Sequence, residues 1–369
     1  MNAAATALLF SLLAQASAAP GLSLDVVGTL TALNPVSVQF LITLILAPSS
    51  VVDVDGLTVK ATLKNTGDVI LKAILSKANT NTFSISSASG TPNFTGLKVK
   101  YVPSQAARSN EGSAFTVLAP GETIEIDHDL AGAYNFTRCG EGSYNFSASD
   151  LFNYVDESGE LKTIEASTNS HQLKIAGKLA TPSRYARAST VSKRAVSFTG
   201  CSADQQSQIK EAAAASDAMV ANANTYLSGL TSGKPRYTTW FGTFDQSRYN
   251  TVASHFKNIG TDATSINYDC TDCLTHPSMD YPNTYAYVDP GVPSKIYLCG
   301  AFWNAPTTGT DSKAGTIVHE NSHFTANGAA EDHVYGQSDA QALAQSNPAW
   351  AVMNADSHEY FVENNPALS

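Results

Sequence analysis

His319-Glu320-Asn321-Ser322-His323 is the stretch on which the reading of this chain turns. Apolar residues at Ala314, Ile317 and Val318 precede it, and the spacing predicts a helix from Ala314 to Thr325. Two histidines four residues apart leave one helix face together, so their ring nitrogens can converge on a single Zn²⁺. Glu320, one residue on, can reach the attacking water without being a ligand. A catalytic zinc needs a third protein ligand and an open position. The long metzincin spacing does not fit, because Gly328 follows His323 by five residues rather than three. Gly328 can instead stop the helix and turn the chain back, which places Asp332 as a hard oxygen ligand.

Outward from the motif, residues 195–369 read as mainly helical. A long helix is expected from Ser202 to Leu230, with Ser202 and Asp204 as candidate N-caps. Further helices are expected over Asp245 to Asn258 and after Ser338, and a strand over Lys295-Ile-Tyr-Leu-Cys299. Upstream the pattern changes to alternation of apolar and polar residues at Leu22–Val27, Leu57–Leu63, Phe115–Leu118, Thr123–Asp127 and Gln172–Ile175, separated by turn formers such as Ala119-Pro-Gly-Glu. No segment of helical period stands out there. Several short strands over this length suggest an antiparallel sandwich.

The two parts meet in a polar linker, Thr181 to Thr190, followed by the dibasic pair Lys193-Arg194, a processing site for a kexin-type protease in a secreted chain. Residues 1–194 carry 15 basic and 15 acidic residues; residues 195–369 carry 7 and 17, so the whole net charge of −10 lies in the second part. That acidity argues against a nucleic-acid partner and suits a basic substrate. The first residues form a leader: an apolar run from Ala3 to Ala14, then Ala16-Ser17-Ala18 as a cleavage pattern. No later run approaches the roughly 18 apolar residues of a membrane span. The expectation is therefore a secreted, extracellular protein with no membrane partner, divided into a signal peptide (1–18), a propeptide (19–194) and a catalytic domain (195–369). Sequons at Asn93, Asn135 and Asn145 fit that route. Cys201, Cys270, Cys273 and Cys299 make an even set in the catalytic part, pointing to two disulfides, and leave Cys139 as the odd thiol upstream.

His319-Glu-x-x-His323 followed nine residues later by Asp332 resembles the deuterolysin, or aspzincin, metalloendopeptidases, with Ala329 where that family usually has Thr. Arg236-Tyr-Thr-Thr-Trp-Phe-Gly, Tyr297-Leu-Cys-Gly-Ala-Phe-Trp, Pro306-Thr-Thr-Gly-Thr-Asp, Tyr335-Gly-Gln and Val352-Met-Asn-Ala-Asp-Ser-His-Glu-Tyr-Phe-Val-Glu-Asn-Asn-Pro extend the resemblance, to the peptidyl-Lys branch, over residues 197–369. The resemblance implies an α+β architecture: a mainly α, zincin-type catalytic domain with a small sheet, preceded by the all-β, sandwich-like propeptide. It implies one Zn²⁺ held by His319, His323 and Asp332, Glu320 as general base, and Tyr335 donating to the oxyanion. It further implies an acidic pocket of Asp356 and Glu359 that selects lysine after the scissile bond, and disulfides joining Cys201 to Cys270 and Cys273 to Cys299. The expected partners are protein and peptide substrates containing lysine and the processing protease, and the expected state is a monomer. Thr137-Arg-Cys139-Gly140 also resembles locally the Arg-Cys-Gly of matrixin propeptides, which makes Cys139 a candidate zymogen thiol on the zinc. Two rival readings stay open at this point: a broader deuterolysin-type protease drawn to basic proteins, and a non-catalytic secreted binding or effector protein.

Overall fold

The computed structural model describes residues 23–29, 39–46, 50–66, 70–74, 82–109, 114–148, 151–156, 158–165, 171–181, 195–277, 279–290, 292 and 294–369. The expected signal peptide, the dibasic pair Lys193-Arg194 and most of the linker lie outside them.

Among the described residues the upstream half is built of short strands, as its period-2 pattern requires, antiparallel except where Ser50–Val51 pairs parallel to His171–Ile175. They divide among three four-stranded sheets and a two-stranded ribbon, Asn93–Phe94 with Tyr134–Asn135. One sheet runs Ser23–Thr29, Gln39–Leu46, Thr58–Asn65, Thr123–Asp129; in the last pair Leu63 lies opposite Ile124. Val59, Leu63, Phe83, Ile85, Tyr144, Phe146, Leu173 and Ile175 meet in one core that joins the sheets. The expectation of an upstream half without helix needs correction, since Pro103–Arg108 forms one short helix opened by its proline. The segment is too short for its period to show against its neighbours.

In the downstream half Ser202 caps the long helix Ala203–Ser228 through a reciprocal capping box with Gln205. Asp245 caps Gln246–Ile259 by accepting from the amides of Ser247 and Arg248. Between them these helices cover the helix Lys313–His323, all eleven residues of which are buried. A second wholly buried helix, Ala355–Glu363, packs alongside it. On the far side lies a five-stranded sheet in the order Ser197–Thr199, Asn267–Asp269, Lys295–Leu298, Thr284–Val288, Lys98–Tyr101. Four of those strands are downstream residues. The fifth, Lys98–Tyr101, comes from the upstream half and closes the sheet's edge by pairing antiparallel to Thr284–Val288. Cys201 is bonded to Cys270 and Cys273 to Cys299, which ties the start of the long helix to the sheet and the sheet to the irregular stretch beside it. Among the described residues no helix is long and apolar enough to cross a membrane.

Candidate active site

The helix bearing the histidines begins at Lys313, capped by Ser312, and ends at His323, two residues short of the expected Thr325. Gly328 does not act as its stop. A β-carbon there would sit 2.8 Å from the His255 ring, so this glycine permits a close approach, and the left-handed turn falls on Ala329 with φ 52°. The turn returns the chain as expected and brings Asp332 back over the helix.

Nε2 of His319 lies 3.2 Å from Asp332 Oδ1, and Nε2 of His323 lies 3.4 Å from the same oxygen. All three side chains are buried. The far nitrogens are held from behind: His323 Nδ1 is 2.8 Å from the Ala330 carbonyl, and His319 Nδ1 is 2.8 Å from Asp356 Oδ1. The acceptor at His323 Nδ1 fixes the tautomer that leaves its Nε2 free to ligate, while His319 Nδ1 has the Asp356 carboxylate behind it but no aligned hydrogen bond. Both Nε2 atoms and Asp332 Oδ1 have no hydrogen-bond partner. Three buried, convergent ligand atoms of two imidazoles and a carboxylate, none with a hydrogen-bond partner, fit a zinc ion, and leaving them without a cation would carry a large desolvation penalty.

Glu320 follows on the same helix and is fully buried. One oxygen, Oε1, accepts from the Lys100 amide at 3.2 Å, and Oε2 has no partner. Burial pushes its carboxyl well above the usual carboxylate range, with His319 opposing the shift. Tyr335 packs edge-on against Tyr101, ring centres 6.3 Å apart, and its buried hydroxyl has no partner. The loop that carries Asp332 and Tyr335 is stitched to the start of the second buried helix: Glu331 accepts from the Ala355 amide, and the Asn354 side chain accepts from the amides of His333 and Val334.

Asp356 and Glu359 lie one turn apart on that helix, fully buried and on one face. Between them sits the ammonium of Lys100, 2.9 Å from Asp356 Oδ1 and 2.7 Å from Glu359 Oε2, with Asp311 at 4.0 Å and the Tyr360 ring 5.0 Å below. Burial works against charge on Lys100, but the three carboxylates outweigh it and hold its pKa well above the usual lysine value. Tyr360 donates to Asp311 at 2.7 Å, and Glu363 accepts from the Asp311 and Ser312 amides, so the floor of the pocket is fixed. Sequence reasoning gave Asp311, Tyr360 and Glu363 no role, although all three stand in motifs quoted for the resemblance. It also missed Lys100.

Cys139, the candidate zymogen thiol, is a free, half-buried cysteine. Cys139 packs against the upstream core beside Gly90 and Tyr144, and the segment that reaches the metal donors is Lys98–Tyr101. Of the sequons, Asn93 and Asn145 are exposed and Asn135 is half-buried.

The family model of the aspzincins, described as lysine-specific metallo-endopeptidase, matches residues 226–363. A peptidyl-Lys metalloendopeptidase of Grifola frondosa is 45% identical over 370 residues, 98% of each chain. That of Pleurotus ostreatus is 56% identical over 173 residues, which make up 47% of this chain and 99% of its own. A solved structure titled zinc peptidase from Grifola frondosa is 50% identical and covers 46% of this chain and all of its own, with a TM-score of 0.43.

Proposed function

Because the chain belongs to the aspzincin family of zinc metalloendopeptidases, we propose that it is a secreted protease, made as a zymogen, that cuts peptide bonds on the amino side of lysine. The observation that carries the lysine reading is the carboxylate pair Asp356 and Glu359, buried together around an ammonium one histidine away from the metal donors. A lysine side chain is a compact cation with three donors, and two carboxylates with Asp311 behind them supply the acceptors it needs. Arginine's planar fork would need more width.

His319, His323 and Asp332 would hold the zinc. The ion, when bound, supplies Lewis-acid polarisation of the scissile carbonyl and lowers the pKa of water. Glu320 takes a proton from the attacking water and returns it to the leaving nitrogen, for which its position beside a backbone amide is the right one. Tyr335 offers a buried hydroxyl as donor to the oxyanion. Asp356 orients His319 through Nδ1 while it lines the pocket.

We divide the precursor at the expected points: leader 1–18, propeptide 19–194, enzyme 195–369, with release after Lys193-Arg194. A relative of about half this length, matched over nearly all of itself, supports the division. The test is digestion of a peptide library by the matured enzyme. Lysine alone after the scissile bond is the expected pattern; a mixture of basic and neutral residues there would favour the broader deuterolysin-type protease.

A further inference from the structure

The strand Lys98–Tyr101 lies where a substrate would. It adds to the free edge of the catalytic sheet, with Val99 opposite Tyr287 and Lys100 opposite Ala286, and runs antiparallel to it. Extended peptides bind proteins by completing a sheet edge in this way. The register slips by one residue between Thr284 and Ala286, so the pairing is irregular beside Lys100. Lys98, Val99, Lys100 and Tyr101 are all nearly inaccessible, although every second residue of the segment is a lysine.

Three contacts fix the register. The Lys100 side chain fills the carboxylate pocket. The Lys100 amide donates to Glu320 Oε1 at 3.2 Å, so the nitrogen of the Val99–Lys100 bond stands at the group proposed to protonate a leaving amine. The Val99 amide donates to Asp332 Oδ2 at 3.1 Å, so the residue before that bond lies on the metal donors. A strand that merely covered the cleft would need none of these. A lysyl substrate would bring its side chain and its scissile nitrogen to these same groups.

We infer that Val99–Lys100 is a substrate bond of the chain's own active site, hydrolysed in cis. The inference rests on the lysine reading given above. Water adds through oxygen to the Val99 carbonyl carbon, the C–N bond breaks, and the Lys100 nitrogen takes a proton by way of Glu320. The products are a carboxylate at Val99 and an amine at Lys100, with no other reactant. The cut severs the strand at the point where it crosses the donors, leaving the Lys98–Val99 side no longer tied to the pocket.

The full precursor is purified in the presence of a chelator and zinc is then added, while intact mass and N-terminal sequencing follow the chain. The expected result is a fragment beginning at Lys100, formed at a first-order rate that does not change with protein concentration and absent from Glu320→Gln. Lys100→Met should slow this cut by about a hundredfold, since an uncharged side chain leaves two buried carboxylates unpaired. Occupation of the pocket is read separately, without catalysis, by labelling zinc-free precursor with an amine-reactive reagent. Lys100 should be protected there and become reactive in the Asp356→Asn, Glu359→Gln double variant. A precursor that stays whole at Val99–Lys100 while the matured enzyme cuts added lysyl peptides would overturn self-cleavage and leave the lysine reading standing. Loss of lysine selection by the matured enzyme would overturn the lysine reading itself.

Discussion

Asp356 touches two centres at once, and the two acids of the pocket are therefore not equivalent. Its Oδ1 is 2.8 Å from His319 Nδ1 and 2.9 Å from the Lys100 ammonium, and its Oδ2 accepts from the Gly336 amide. Glu359 meets the ammonium more closely, at 2.7 Å, and His319 only at 3.4 Å. Asp356→Asn should weaken zinc binding by about 10–100-fold, the usual effect of removing a carboxylate behind a ligating histidine, and also relax lysine selection. Glu359→Gln should relax selection while zinc content holds. Metal analysis beside library cleavage separates the two, and equal zinc loss in both would refute the division of roles. Glu320→Gln should keep zinc and fold but lose about a thousandfold in hydrolysis, the range of a lost general base. Wild-type turnover in that variant would dismiss the assignment.

At the scale of elements, the two buried helices are held by a glycine. A β-carbon on Gly315 would stand 2.2 Å from Glu363 Oε1, the oxygen that accepts from the Ser312 amide and hydroxyl. In an exposed helix Gly→Ala would stabilise by about 1 kcal/mol. Here overpacking should win: Gly315→Ala is expected to destabilise by roughly 1–3 kcal/mol and to disturb Asp311, and a raised thermal midpoint would contradict the packing argument. These elements differ in how well they could be read. The helix Lys313–His323 was legible because its motif fixes the phase of the histidines, and Ser202 announced the long helix by capping chemistry that is local. Lys98–Tyr101 was not legible. Its alternation of lysines with Val99 and Tyr101 looks like an edge strand facing water, and its true partners, Thr284–Val288 and Asp356, lie far along the chain. Gly328 was misread for a related reason, because its constraint is His255, a neighbour in space alone.

For the whole molecule, a buried histidine pair makes stability sensitive to acid. His358 donates through Nδ1 to the Asn354 carbonyl at 2.9 Å, so its Nε2 must be an acceptor, and His255 Nδ1, 3.0 Å away, donates to it. The rings stack with centres 5.2 Å apart, and Phe241 and Phe256 flank His358. A second proton on His358 Nε2 would face the N–H of His255. Burial, with His255 adding to it, lowers the His358 pKa from 6.5 to about 3, and burial lowers that of His255 as well. A depressed folded value means that the unfolded chain binds more protons on acidification. The stabilisation from keeping His358 neutral is thus complete above pH 6.5 and is lost as pH falls from there through the folded value near 3. Each such group contributes a slope of up to about 1.4 kcal/mol per pH unit in that window. Denaturant unfolding of zinc-free protein, which removes metal release from the comparison, should show stability falling below pH 6.5, and His358→Gln should make the fall shallower even if it lowers stability throughout. An unchanged slope in that variant would mean that the acid sensitivity lies elsewhere, in the carboxylates of the pocket rather than in the pair behind it.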